Sequence, residues 1–229
     1  MWDTIQENAV PVKGAHGRST CYPVGSMFGL TKQELAILKP LDSPRKIQDF
    51  LETIPSNHCH DRDTLLSPRM VLRERRAHCV EGAMLAALAM RLHGEPPLIV
   101  DLMSSTCDLD HVIAVFRRFG CWGAVSKTNH AVLRYREPVY ETLHELVMSY
   151  FHEYTTDDGK KTLRSYSRPV NMSRFDKDGW MTSEKDVWAV PKYLCEVAHV
   201  PLVTRNQIAS FRLADPIERE VGMKLQWKK

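Results

Sequence analysis

Residues 79–94 read CVEGAMLAALAMRLHG and residues 111–126 read HVIAVFRRFGCWGAVS. The first stretch predicts a helix from about Cys79 to Leu92, closed by His93 and Gly94. Ala83, Ala86, Ala87 and Ala89 give it a surface that other backbone can approach closely. In the second, HVIAVFRRF alternates like a strand, Gly120 marks a turn and CWGAVS follows as another strand. Between the two lies PPLIVDLM, a continuous apolar run of strand length. A helix followed by at least three strands therefore forms the centre of the chain, and the predicted fold class is α+β, with helices packed on one antiparallel sheet.

Working outward from this centre, TKQELAILKPL (31–41) places Glu34 at capping-box spacing from Thr31 and stops at Pro40. SPRKIQDFLETI (43–54) carries Pro44 in its first turn and an apolar face of Ile47, Phe50, Leu51 and Ile54. Ser67 and Pro68 open a third helix through MVLRERRA. Downstream, PVYETLHELVMSYFHEYT (138–155) reads as one amphipathic helix between Pro138 and the turn DDGKK. TLRSYSRPV reads as a strand, and SEKDVWAVPKYLCEVA as a helix interrupted by Pro191. Residues 1–30 show no apolar period and are expected to form a loosely structured arm on the surface. Residues 31–229 are expected to be a single domain with a C-terminal extension from about residue 160.

The composition bounds the function. With 229 residues, 43% of them hydrophobic, the chain buries a genuine core. Its 31 Lys and Arg against 28 Asp and Glu give a formal charge of +3, spread along the sequence, so neither a nucleic acid nor a membrane is called for as partner. The N-terminal stretch carries Asp3 and Glu7 and has no signal-like apolar core, and no segment reaches membrane-spanning length. A soluble, cytoplasmic protein is expected. Six cysteines (21, 59, 79, 107, 121 and 195) without a dense framework suit a reducing compartment, where each thiol is either packing or chemistry.

Cys79 is the candidate for chemistry. The start of a helix stabilises a thiolate through unpaired N–H groups and the positive end of the dipole, and Arg73, Arg75 and Arg76 stand just before it. Packing is the commoner use of a lone cysteine. What favours a nucleophile is His111, which opens a strand and could aim an imidazole at the sulfur.

The segment SPRMVLRERRAHCVEGAMLAA (67–87) resembles the nucleophile helix of transglutaminase-like proteins, in which a Cys begins a helix, a His opens a later strand and an Asp lies on the next. His111 follows Cys79 by 32 residues, and HVIAVFRRFGCWGAVS is similar to the family's His strand, turn and Trp-bearing strand, with Trp122 at the common tryptophan. The resemblance spans roughly residues 64 to 130. The full combination, with TNHAVLRYREPVYETLHELVMSYFHEY, is similar to uncharacterised transglutaminase-like proteins. It implies a papain-like core and cysteine-dependent acyl transfer or hydrolysis of an amide, ester or thioester, on a peptide or small-molecule acyl substrate, with no cofactor and no metal.

One position departs from the pattern: Ser126 stands where the family's Asp would be. Serine can accept from imidazole Nδ1–H but carries no charge. Asn129 is the substitute named first, because an amide oxygen orients the histidine in papain-like proteases. Asp110, adjacent to His111, would face the other side of a regular strand. The Cys79 amide is one plausible oxyanion donor. The rival reading is the same fold kept as a binding module without catalysis.

Other signals weigh less. His58, Cys59, His60 and Asp61 are neighbours in one loop and lack a second pair at finger spacing, so a metal site is not expected. His78 is expected to face away, since adjacent helical positions diverge by about 100°. RERR and LRYRE suit anions, but Glu74 and Glu137 among them suit internal pairing equally well. Tyr135, Tyr140, Tyr150, Phe151 and Tyr154 are expected to be packing and rim. A disulfide joining Cys107 to Cys121 or to Cys79 has no support beyond proximity in sequence.

Overall fold

The computed structural model describes residues 27–57 and 63–227. Most of the expected N-terminal arm, and the His58 to Asp61 loop, lie outside these residues. The described end of the arm is part of the body: Met27–Gly29 makes one 3-10 turn and Leu30 is buried in the core.

Three short helices come first: α1 (Lys32–Leu38), α2 (Pro44–Glu52) and α3 (Pro68–Glu74). Thr31 and Glu34 close the expected capping box on α1, and the Ser67 hydroxyl accepts from the Met70 amide on α3. Helix α4 (Cys79–Leu92) begins and ends where the sequence places it. Every residue from Glu81 to Met90 is buried, because the helix is small or apolar on all sides and sinks between the sheet and helices α2 and α3.

The strands that follow are β1 (Leu98–Ser104), β2 (His111–Arg118), β3 (Cys121–Ser126), β4 (Arg136–Tyr140), β5 (Leu163–Ser167), β6 (Val170–Asn171) and β7 (His199–Pro201). They form one open antiparallel sheet in the order β4-β3-β2-β1-β5-β7, with β6 also pairing with β1. The β2–β3 turn is two residues long, and both Phe119 (φ 54°) and Gly120 (φ 82°) have positive φ, the backbone a tight hairpin needs. Side chains alternate across the sheet. Ile99, Val112, Ala114 and Phe116 pack with α4, whereas Val100, Leu102, Ile113 and Val115 pack with Leu146, Val147, Tyr150 and Phe151. Each large apolar side chain so buried contributes about 2 kcal/mol. No helix among the described residues is long and apolar enough to cross a membrane.

Three expectations are corrected. The helix expected over 138–155 is split into strand β4 and a short α5 (Leu143–Met148), capped by Thr142 and Glu145. Pro138 is tolerated because β4 is an edge strand, where a missing N–H is cheap. Pro191 does not interrupt a helix; it lies in the first turn of α6 (Ala189–Glu196), where its N–H is not needed. The region from residue 160 is not an appendage, since β5 is an interior strand between β1 and β7. Helices α7 (Arg205–Ala209) and α8 (Pro216–Gly222) complete the described chain.

Candidate active site

Cys79 is the first residue of α4, so its amide and that of Val80 have no acceptor within the helix and point their N–H dipoles outward. His111 is the first residue of β2 and Ser126 the last of β3. In the hairpin register Ile113 pairs with Ser126, which makes His111 the diagonal neighbour of Ser126. His111 Nε2 lies 2.8 Å from Ser126 Oγ, and Ser126 Oγ donates its one proton to the Leu133 carbonyl at 2.5 Å. Toward the ring the hydroxyl is therefore an acceptor, Nε2 carries the proton, and Nδ1 is the nitrogen left for the Cys79 sulfur. The sequence reading had the two nitrogens the other way round.

Two further residues fix Ser126. The Gln48 carboxamide of α2 donates to the Ser126 carbonyl and accepts from its amide, both at 2.9 Å. Gly82, one turn into α4, lets the next residue of the chain pass: a Cβ there would lie 2.3 Å from Lys127 Cβ. Lys127 Nζ donates to the Ile54 carbonyl at 2.6 Å, and burial draws its ammonium down to about 8.

His78 does not face away from the thiol, as the sequence had suggested. As the residue before the helix it has extended backbone, so the 100° rule for helical neighbours does not govern it. Its Nε2 lies 3.0 Å from the Thr64 carbonyl and 3.3 Å from Glu81 Oε1. Burial works against the His78 imidazolium, but hydrogen bonding to Cys79 and the charges of Cys79 and Glu81 raise it to about 9. Burial likewise opposes ionisation of Cys79, yet hydrogen bonds from His111 and His78, together with their charges, hold the thiol well below its usual range. Both imidazoles thus act on the Cys79 thiol.

Glu81 anchors this end of the helix. It is fully buried and accepts from Asn57 Nδ2 (2.9 Å), Thr64 Oγ1 (3.0 Å), the Leu66 amide (2.8 Å) and the His78 amide (2.9 Å). Nothing in the sequence reading singled out Glu81 or Gln48, and His78 had been expected to face elsewhere. The capping-box spacing from His78 to Glu81 was the available signal for Glu81, with histidine in place of the usual hydroxyl.

Cys79 is partly exposed and lines a cleft of about 790 Å³ together with His78 and His111. A wall of the cleft comes from the C-terminal segment, including Arg219, Gly222 and Met223. That segment is clasped to the 129–131 loop. Asn129 donates to the Trp227 carbonyl (3.0 Å) and accepts from its amide (2.9 Å), His130 Nδ1 lies 2.8 Å from the Gly222 carbonyl, and the Ala131 amide donates to the Lys224 carbonyl (2.9 Å). Asn129 therefore secures the cleft wall, and Ser126 is the partner of the ring. Asp110 accepts from the Ser104 amide at 2.7 Å and ties the end of β1 instead.

No protein-family model matches the chain, and no curated protein does either. The case for a function rests on the geometry.

The remaining candidates lie elsewhere. Arg73 pairs with Glu184, Arg76 with Glu74 and Arg134 with Glu52, so internal pairing accounts for the basic clusters. Arg75 stacks over Phe50 and donates to Thr53 Oγ1. Cys79, Cys107, Cys121 and Cys195 are all free thiols, with no disulfide among them. Among the described residues no three His, Cys, Asp or Glu side chains group to hold a metal ion. A buried pair the sequence did not reveal joins β1 to β7: His199 Nε2 lies 3.0 Å from Asp101 Oδ2, with both side chains 6% exposed. Burial raises the Asp101 carboxyl despite the histidine's opposing pull.

Proposed function

We propose that this chain is a cysteine-dependent acyl-transfer or hydrolytic enzyme with a core of transglutaminase-like type. The supporting observation is the bond between His111 Nε2 and Ser126 Oγ, which leaves Nδ1 as the base beside a thiol already biased toward thiolate. In this reading His111 Nδ1 takes the Cys79 thiol proton, Sγ attacks the acyl carbon of an amide, ester or thioester, and His111 passes that proton to the leaving group as its bond to the acyl carbon breaks. The developing oxyanion is met by the Cys79 amide. Water or an amine, deprotonated by His111, then resolves the thioester.

Wild-type protein is expected to release a burst of nitrophenol from p-nitrophenyl acetate and to be labelled at Cys79 by iodoacetamide. Cys79→Ala should do neither, and a full burst in that variant would end the proposal. The pH dependence has a definite sign. Reactivity follows the thiolate, so labelling should stay level as pH falls through about 8.5, where a free thiol loses reactivity, and decline only well below it. A midpoint near 8.5 would favour a binding module, the reading that the neutral Ser126 also suits.

Ser126→Ala removes the acceptor of Nε2–H and the donor to Leu133. The acylation burst should slow by about tenfold, the worth of one oriented hydrogen bond. Ser126→Asp should fail to restore it, because a carboxylate cannot donate to the Leu133 carbonyl. A fast Ser126→Ala enzyme would remove Ser126 from the site.

A further inference from the structure

Arg219 stands apart from the other half-buried arginines among the described residues. Every other half-buried arginine among the described residues has a partner: Arg69 holds Glu34, Arg91 holds Asp176, Arg118 holds Glu95 and Arg136 holds Glu153, and the rest are likewise bonded. Arg219 Nε is buried without an acceptor, and the guanidinium makes no hydrogen bond or ion pair among the described residues. It lies on α8, in the wall of the Cys79 cleft.

The stem of Arg219 is held by packing. A Cβ on Gly159 would lie 3.1 Å from Arg219 Cδ and 3.1 Å from the Ala214 carbonyl, so the glycine both takes its positive φ (87°) and admits this side chain. Nearby carboxylates are engaged elsewhere. On α8, Glu218 caps Asp215 and Asp215 pairs with Arg212. In the cleft, Asp158 holds Lys160, Glu153 holds Arg136, Asp110 holds the Ser104 amide and Asp108 holds Thr162. The fifth cleft carboxylate, Asp157, is exposed and does not pair with Arg219. Nε is closed off by the packing, so the unpaired Nη groups are the ones left for a ligand in the cleft.

We infer that the cleft takes an acyl substrate bearing a carboxylate, received by the Arg219 fork while its acyl carbon lies at Cys79. The inference rests on the nucleophile reading and narrows it. Planar bidentate pairing suits carboxylate. A dianionic phosphate would suffer more from the cleft's five carboxylates, which outnumber its cations Lys127, Lys160, Arg219 and the His78 imidazolium. A volume of 790 Å³ suits a small molecule or the end of a peptide.

A series of maleimide-alkanoic acids of increasing chain length, with their methyl esters, tests this by the rate of Cys79 labelling. In wild type the best-fitting acid should react about tenfold faster than its ester. Arg219→Gln should bring that ratio close to one, and Arg219→Lys should keep part of it. Equal rates for acid and ester throughout the series, or a ratio that survives Arg219→Gln, overturns the inference. Slow labelling by the esters as well counts against the nucleophile instead. The arginine is read independently by phenylglyoxal modification, mapped by mass spectrometry in Cys79→Ala protein. Hippurate should slow modification of Arg219 several-fold. Absence of protection overturns the inference, and stronger protection by inorganic phosphate overturns the choice of carboxylate.

Discussion

Glu81→Ala is expected to lower the unfolding free energy by about 4 kcal/mol, the largest loss anticipated for any single change in this protein. The substitution leaves Asn57 Nδ2, Thr64 Oγ1 and the amides of Leu66 and His78 without their acceptor, at about 1–3 kcal/mol for each buried donor left unsatisfied. It also strips the His78 imidazolium of its nearest carboxylate. Part of the sum is recovered by relaxation and by water, which is why the total is set below the simple addition. Glu81→Gln keeps the shape and one acceptor oxygen, so its loss should be smaller. Urea denaturation measures both, and a loss under about 1 kcal/mol for Glu81→Ala would mean that the network does not anchor the helix.

Gly82→Ala should reverse the usual sign of a glycine-to-alanine change. In an exposed helix alanine stabilises by about 1 kcal/mol relative to glycine. Here the new methyl would lie 2.3 Å from Lys127 Cβ and 2.8 Å from Cγ, near the root of the side chain rather than at its flexible end. The end of β3 has to move, at a cost of about 1–3 kcal/mol. Ser126 precedes Lys127, so the acceptor of His111 moves with it. Lower thermal stability should therefore be accompanied by a weaker nitrophenol burst. A variant with wild-type stability and burst would show that the helix and strand tolerate separation.

The centre of the fold was legible because its signals are local. The small-residue helix from Cys79, the apolar run of β1 and the two strands around Gly120 are each decided by neighbouring residues. The split of 138–155 was hidden because its apolar face persists across two elements, and Pro138 marks an edge strand only once the strand order is known. In the site, Cys79, His111 and Ser126 could be named from spacing and resemblance. Asn129 could not be told from Ser126 without knowing that the C-terminal segment returns to claim it. Gln48, Asp101 and His199 have no sequence signal at all. Their partners are distant along the chain, and an isolated glutamine, aspartate or histidine looks the same whether it is buried or exposed.

The clasp between the 129–131 loop and residues 222–227 also bears on how the protein comes into being. As the chain leaves the ribosome, helix α4, the hairpin and both histidines emerge long before Arg219 and Trp227. Until residues 219–227 follow, the cleft lacks one wall, so a nascent chain carries Cys79 and His111 without the cleft around them. Assembly of the cleft is thereby tied to docking of a segment about a hundred residues downstream of the loop it meets.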